Sequence, residues 1–253
     1  MLIQNLKKES LDLAKALISG ESGVGKTSLF KTLIGRTVVI SSEKGTKVLE
    51  GHDIDLIDIS IHDTLKGPDG KPQIMKKAAD RIAKLQRVFA WLHDGPKDDK
   101  GKPVEYMNVC LDSLTEIGDL YVEFLNEKYP DKKDSFPLWG EYLKMMKSTV
   151  RNFRDLPFNV FITVLSKPDK NDVGRRYMGF DVQGSISDRL PQYFDYVFYL
   201  HADAEGKRSI ITRKTDTLIC KDRSGRLAPQ EPCDLGEIMK KIMMKKEKEE
   251  GIE

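Results

Sequence analysis

Eight residues near the start of the chain, Gly20-Glu21-Ser22-Gly23-Val24-Gly25-Lys26-Thr27, fit GxxxxGK[ST] at every defined position. A glycine-rich backbone of this kind turns its N–H groups inward, toward phosphate oxygens. Lys26 would reach the β- and γ-phosphates of a nucleotide, and the Thr27 hydroxyl would ligate Mg²⁺. The apolar run Ala14–Ser19 and the helical pattern Lys26–Leu33 place the motif between a strand and a helix, the context that gives it meaning. That helix would also turn its positive end toward the phosphates. Gly20, Glu21, Ser22, Gly23, Val24, Gly25, Lys26, Thr27 and Ser28 are the expected nucleotide-binding set.

A Mg²⁺-nucleotide calls for an acidic residue at the end of a second buried strand. Val109-Cys110-Leu111-Asp112-Ser113 supplies Asp112 on the metal side, although Asp and Ser also suit the N-cap of the helical stretch Leu114–Lys128. Hydrolysis needs a group that orients the attacking water. Glu43 stands where the strand Thr37–Ser41 ends, and in a parallel sheet neighbouring carboxyl ends face one crevice. Glu43 reads equally as a catalytic carboxylate or as a solvated loop glutamate. Later in the chain, Lys221 and Arg223 lie two residues apart and would project to one face of a strand. They suit two roles: stabilising phosphoryl charge across a subunit boundary, or charging an exposed sheet edge. Ser166-Lys167-Pro168-Asp169 is close to the guanine-reading [NT]KxD, which keeps a GTPase-like, nucleotide-switched regulatory protein as the alternative. Asp112-Ser113-Leu114-Thr115 lacks the DxxG glycine that such a protein needs.

The elements that must position these groups alternate. Strands are expected at Ala14–Ser19, Thr37–Ser41, Ile54–Ile61, Tyr106–Asp112, Asn159–Leu165 and Asp195–His201. Helices are expected at Lys26–Leu33, Ile74–His93, Leu114–Lys128 and Tyr142–Phe153. This is an α/β pattern, a mainly parallel central sheet flanked by helices, and Ser209–Arg213 with Thr217–Lys221 read as a C-terminal antiparallel extension. Lys66–Gln73, Gly95–Pro103 and Ser166–Gly184 read as loops. Residues 1–235 form the expected ATPase domain. Residues 236–253 form a charged helical tail; from Glu237 onward it holds five lysines and five glutamates, with Ile238, Met239, Ile242 and Met243 at helical spacing.

Composition excludes some classes. Lys and Arg total 42 against 40 Asp and Glu, a net charge of +2, so the chain is neither a global polycation nor an acidic tail protein, though a local basic groove is compatible with that balance. Cys110, Cys220 and Cys233 are dispersed and odd in number, as expected of free thiols in a reducing cytoplasm rather than of disulfides or a zinc site. No apolar run has the length of a membrane span and the start has no signal-peptide core, so the expectation is a cytoplasmic protein without membrane partners.

In order along the chain, GESGVGKT, SSEKGTKVL, NVCLDSLTEI, and FDYVFYL leading into TRKTDTLICKDRSGRL resemble the RecA-like P-loop ATPase core. More narrowly they resemble the phage-encoded Sak-type single-strand annealing and recombination proteins, from about Ala14 to Leu227. The resemblance implies ATP and Mg²⁺ as ligands, with Lys26 and Thr27 at phosphate and metal, Asp112 at the metal, and Glu43 as the catalytic carboxylate. It implies Lys221 and Arg223 acting in trans within a homo-oligomeric ring or filament. It also implies single-stranded DNA as partner, with an accessory single-strand-binding protein, in a bacterial host cytoplasm. The DNA groove would gather phosphates with Lys167, Lys170, Arg175 and Arg176, and Tyr177 or Phe180 would stack on bases.

Overall fold

The computed structural model describes residues 13–60, 64–66, 72–74, 77–130, 136–170 and 173–243. Eight parallel and antiparallel strands form the path of the main sheet, and two more join it from the side. The parallel part consists of β1 (Lys15–Gly20), β2 (Thr37–Ser41), β3 (Ile54–Asp58), β6 (Asn108–Asp112), β7 (Asn159–Lys170) and β9 (Tyr196–Ala202). Between β3 and β6 the chain forms a separate antiparallel pair, β4 (Thr64–Lys66) and β5 (Pro72–Ile74). The later strands are β8 (Arg176–Phe180), β10 (Arg208–Ile211), β11 (Lys221–Asp222) and β12 (Gln230–Pro232). The spatial order is β12-β10-β9-β1-β7-β6-β2-β3, with β11 paired to β9 and β8 paired to β7. The expected mainly parallel sheet with an antiparallel C-terminal extension is the fold observed.

Alternation along each strand explains why both faces are covered. Successive side chains point to opposite faces. Leu17, Val38, Ile40, Val109, Leu111, Val160 and Ile162 face one side, where they meet α1 (Ala78–His93), α2 (Leu114–Lys128) and α3 (Phe136–Arg154). Ile18, Val39, Cys110, Phe161 and Phe198 face the other, where Leu29 and Phe30 of the 3-10 segment Thr27–Thr32 pack with the terminal helix. A strand apolar at every position reads as buried on both faces, which is how parallel sheets are built. A single turn, α4 (Ile186–Arg189), precedes β9, and the terminal helix α5 (Leu235–Met243) closes the second layer with Ile238, Met239 and Ile242 buried. The first part of the charged tail therefore belongs to the packed domain; residues 244–253 lie outside the described residues, as do residues 1–12.

Several expectations are corrected. Ser166–Gly184 is not a loop: β7 runs on past the sheet and pairs with β8 in an antiparallel hairpin. Of Lys66–Gln73, residues 67–71 lie outside the described residues, and the flanking residues are paired strands rather than loop. Ile74 belongs to β5, so the helix expected from Ile74 begins at Ala78. Thr217–Lys221 is not a continuous strand; Leu218 bridges to Met178, and regular pairing covers Lys221–Asp222 alone. The helix after the phosphate loop is a six-residue 3-10 turn, shorter than an α-helix with a developed dipole. Among the described residues no helix is long and apolar enough to cross a membrane.

Candidate nucleotide site

Strand β1 ends at Gly20, where the loop must turn away from its neighbours at very short range. A side chain there would lie 2.9 Å from the Leu200 carbonyl oxygen of β9. Gly25 has φ of 103°, a conformation that side chains of L-residues rarely adopt, and it too is closely overlaid. Lys26 follows and is buried, its Nζ donating to the Gly20 and Glu21 carbonyls at 3.0 and 2.8 Å. Its ammonium therefore rests within the loop that would receive phosphate. Burial lowers its pKa below the usual lysine range, opposed by the nearby negative charges of Glu43 and Asp112. Phosphate at the same place would supply the missing counter-charge.

The acidic residues arrive from two other strands. Asp112 ends β6 and is 2% exposed. Its Oδ2 accepts from the Thr27 hydroxyl at 2.7 Å, and its Oδ1 accepts from the Thr163 hydroxyl of β7 at 2.5 Å. Ser41 of β2 is in register with Asp112, and the Ser42 N–H donates to the Asp112 carbonyl at 2.7 Å. The Ser42 hydroxyl donates to the same carbonyl at 3.1 Å, and the Ser113 N–H donates to that hydroxyl at 3.0 Å. These bonds fix the turn that carries Glu43, whose carboxylate accepts from the Ser113 hydroxyl. Ser113 also caps α2 by accepting from the Glu116 N–H. The N-cap reading of the Asp112–Ser113 segment falls on Ser113, while Asp112 bonds to Thr27 of the loop.

Lys26 and Thr27, Asp112, and Glu43 come from three segments distant in sequence and meet at the carboxyl ends of β1, β6 and β2. The donor set that Thr27 and Asp112 offer is all oxygen, one hydroxyl and one carboxylate, and this suits Mg²⁺, which takes few protein ligands and completes its shell with phosphate and water. Neither residue has to be recruited from elsewhere.

Sequence reasoning missed three members. Thr163 is a polar residue in the apolar run Phe161-Ile162-Thr163-Val164, fully buried, and that contrast was a readable sign that it needed a partner. Glu116, one turn beyond Ser113, has its carboxyl pKa raised by burial first and then by Glu43 and Asp119, with Arg81 opposing. Arg208 at the start of β10 lies over Gly25, and nothing in its local sequence announces this.

The second constellation lies elsewhere. Lys221 and Asp222 pair with Val197 and Tyr196, near the start of β9, whereas the phosphate loop leaves β1 beside Leu200. Three residues of strand separate Val197 from Leu200, roughly 10 Å. Lys221 Nζ donates to the Phe194 and Pro191 carbonyls at 2.6 and 3.3 Å, and Arg223 pairs with Asp195 at 2.6 Å. Neither reaches this chain's own phosphate loop. Asp222 organises the turn that follows, accepting from Ser224 and Leu227 N–H groups. Arg223 borders an open cleft of about 670 Å³ at that end of the sheet, lined also by Lys15, Arg154, Asp155, Asp195 and Arg226.

The expected DNA-contacting cations are divided by the hairpin. Lys170 and Arg176 are opposite in register, share one face and are exposed. Lys167 points to the other face and pairs with Asp181 at 3.0 Å, while Arg175 pairs with Asp216 at 2.6 Å. The Tyr177 hydroxyl donates to Asp169 at 3.3 Å. Phe180 is 1% exposed within the core and is not available to stack on a base, which corrects that expectation. Asp169, the guanine-reading candidate, accepts from Tyr177 and from the Lys170 N–H within the hairpin.

No curated protein sequence matches the chain. A solved structure described as a prototypical ATPase from the type III secretion system of pathogenic bacteria is similar at 15% identity and a TM-score of 0.46, over 75% of this chain and 52% of that one. The chain thus spans about half the length of that neighbour. The family described as "AAA domain" matches residues 13–224, a stretch that runs from the start of β1 through the phosphate loop, Glu43 and Asp112 to Arg223. The chain belongs to the AAA family of P-loop ATPase domains.

Proposed function

We propose that the chain is an ATP-hydrolysing recombination protein of the phage Sak type, which binds single-stranded DNA and promotes annealing or strand exchange as a homo-oligomer. The convergence of Thr27, Asp112 and Glu43 on Lys26 carries the catalytic half of this reading. Lys26 exchanges its two loop carbonyls for the β- and γ-phosphates. Thr27 and Asp112 would hold Mg²⁺, which when bound would supply neutralising charge to the phosphates. Glu43 orients the attacking water, its carboxylate held in place by the Ser113 hydroxyl.

The β7–β8 hairpin supports the DNA half. It projects from the strand that sits between β1 and β6, so its base adjoins the phosphate loop, with Leu165 in register with Gly20. Its outer face presents Lys170 and Arg176 to solvent. In this reading Arg223 and Lys221, remote from their own phosphate loop, act on the nucleotide of a neighbouring subunit. The test is ATP turnover with and without single-stranded DNA, alongside Lys26→Ala. Turnover that rises with single strands and vanishes in Lys26→Ala supports the proposal. Turnover indifferent to single strands, together with no binding of them, removes the recombination reading while leaving the ATPase.

A further inference from the structure

We infer that Arg208 is a second cation of the nucleotide site, supplied by the same chain, and that it grips the α- and β-phosphates rather than the γ-phosphate. The inference rests on the reading of Gly20–Thr27 as a nucleotide loop. Strand β9 is in register with β1, Tyr199 against Ser19, and β10 returns antiparallel with Arg208 opposite Ala202. The beginning of β10 is thereby carried alongside the phosphate loop. A methyl group on Gly25 would lie 2.6 Å from Nη1 of Arg208, 2.9 Å from Cζ and 3.4 Å from Nε. Distances of 2.6–3.4 Å from one Cβ position to three guanidinium atoms set the group against Gly25, the residue before Lys26 in sequence.

Arg208 is exposed, and among the described residues its side chain makes no hydrogen bond and no ion pair. A guanidinium is a planar fork of donors suited to phosphate, and here it extends the row of loop N–H groups on the flank opposite the carboxylates. Sheet order fixes which phosphates it meets. From β10 the order runs β9, β1, β7, β6, β2, so Arg208 stands on one side of the phosphate-loop strand while Asp112 and Glu43 stand on the other. Metal and hydrolysable phosphate belong with the carboxylates. The opposite flank is left to the part of the polyphosphate that ATP and ADP share.

Calorimetric titration of ADP, ATP and inorganic pyrophosphate into wild type, Arg208→Ala and Arg208→Lys tests this. Removing a charge-assisted hydrogen bond to phosphate should weaken binding by roughly 10–100-fold. Arg208→Ala should show that loss equally for ADP and ATP and in parallel for pyrophosphate, with Arg208→Lys between it and wild type. The melting temperature without ligand should move little, because among the described residues the side chain has no hydrogen bond or ion pair to lose. Wild-type affinity for ADP retained within about twofold in Arg208→Ala would overturn the assignment. Weakened ADP with unchanged pyrophosphate would overturn it also, placing Arg208 on the base. Wild-type protein that binds none of the three would instead remove the loop reading itself.

Discussion

Thr163→Val removes a buried hydroxyl that donates to Asp112 and makes a longer 3.4 Å contact with the Leu111 carbonyl, with little change in volume. Thr163 is fully buried on β7, and its hydroxyl donates to Asp112 Oδ1 at 2.5 Å. Asp112 is nearly as deeply buried and keeps its second bond, from Thr27, at 2.7 Å. Valine replaces the hydroxyl by a methyl group of the same shape, so the cavity contribution that accompanies large-to-small changes is absent. What is lost is chiefly the hydroxyl's short bond to the Asp112 carboxylate, about 1.5–3 kcal/mol. For a domain of this size each kcal/mol shifts Tm by about 2–4 °C, so the midpoint should fall by roughly 3–12 °C. Thr163→Ser supplies the control. It keeps the hydroxyl and removes one methyl, worth about 0.8 kcal/mol of burial plus a small cavity contribution. Differential scanning calorimetry of the three proteins without nucleotide should rank wild type above Ser and Ser above Val. A valine variant that melts with wild type, or a serine variant that melts below valine, would refute the claim that Thr163 supports the Asp112 carboxylate.

Two further outcomes follow from the far end of the sheet. Lys15 donates to the Leu156 and Phe158 carbonyls at 2.6 Å each, and burial lowers its pKa to about 8 despite the opposing charges of Asp155 and Asp195. Between pH 8 and the ordinary lysine value near 10.5 the unfolded chain binds the proton that the folded chain has released, so wild-type stability should gain from Lys15 as pH rises through that window. Against Lys15→Met, measured by Tm across the same range, the wild type should therefore improve; a constant difference would show that burial does not depress this lysine. Arg223→Ala should leave nucleotide affinity nearly intact, because Arg223 pairs with Asp195 away from its own phosphate loop, while lowering turnover. Full activity of the wild-type protein as a dilute monomer would exclude a role for Arg223 in trans.

Local pattern and long-range pairing divide what could be read beforehand. Strands such as Val38-Val39-Ile40 and Val109-Cys110-Leu111 are apolar at every position, and that run-length signal is sufficient for a sheet buried on both faces. The phosphate loop is a contiguous motif, so its residues were legible one by one. Glu43 and Asp112 could be proposed because Asp112 ends a strand and Glu43 closely follows one, yet their meeting depends on β2 lying beside β6, which is a property of sheet order. The β7–β8 hairpin was hidden because Ser166–Lys170 has loop-like composition, Pro168 included, and becomes a strand only by pairing with β8. Phe180, an aromatic residue in a charged segment, suggested a base platform, whereas its burial follows from the return of the chain to the core. Arg208 is the clearest illegible case. Its position over Gly25 requires β9 to pair with β1 and β10 with β9, two non-local registers that no short window contains.

In the proposed function, Glu43 is the residue on which ATP hydrolysis most directly depends. Its carboxylate is held by Ser113 beside Asp112, and exchanging one oxygen for an amide leaves the phosphate loop, Lys26 and Thr27 as they are. Glu43→Gln should bind ATP with an affinity within about twofold of wild type, while steady-state hydrolysis falls by at least about 100-fold, the scale of a lost acid–base group. Hydrolysis in Glu43→Gln that stays within a few-fold of wild type would contradict this assignment, because the water would then be oriented by some other group.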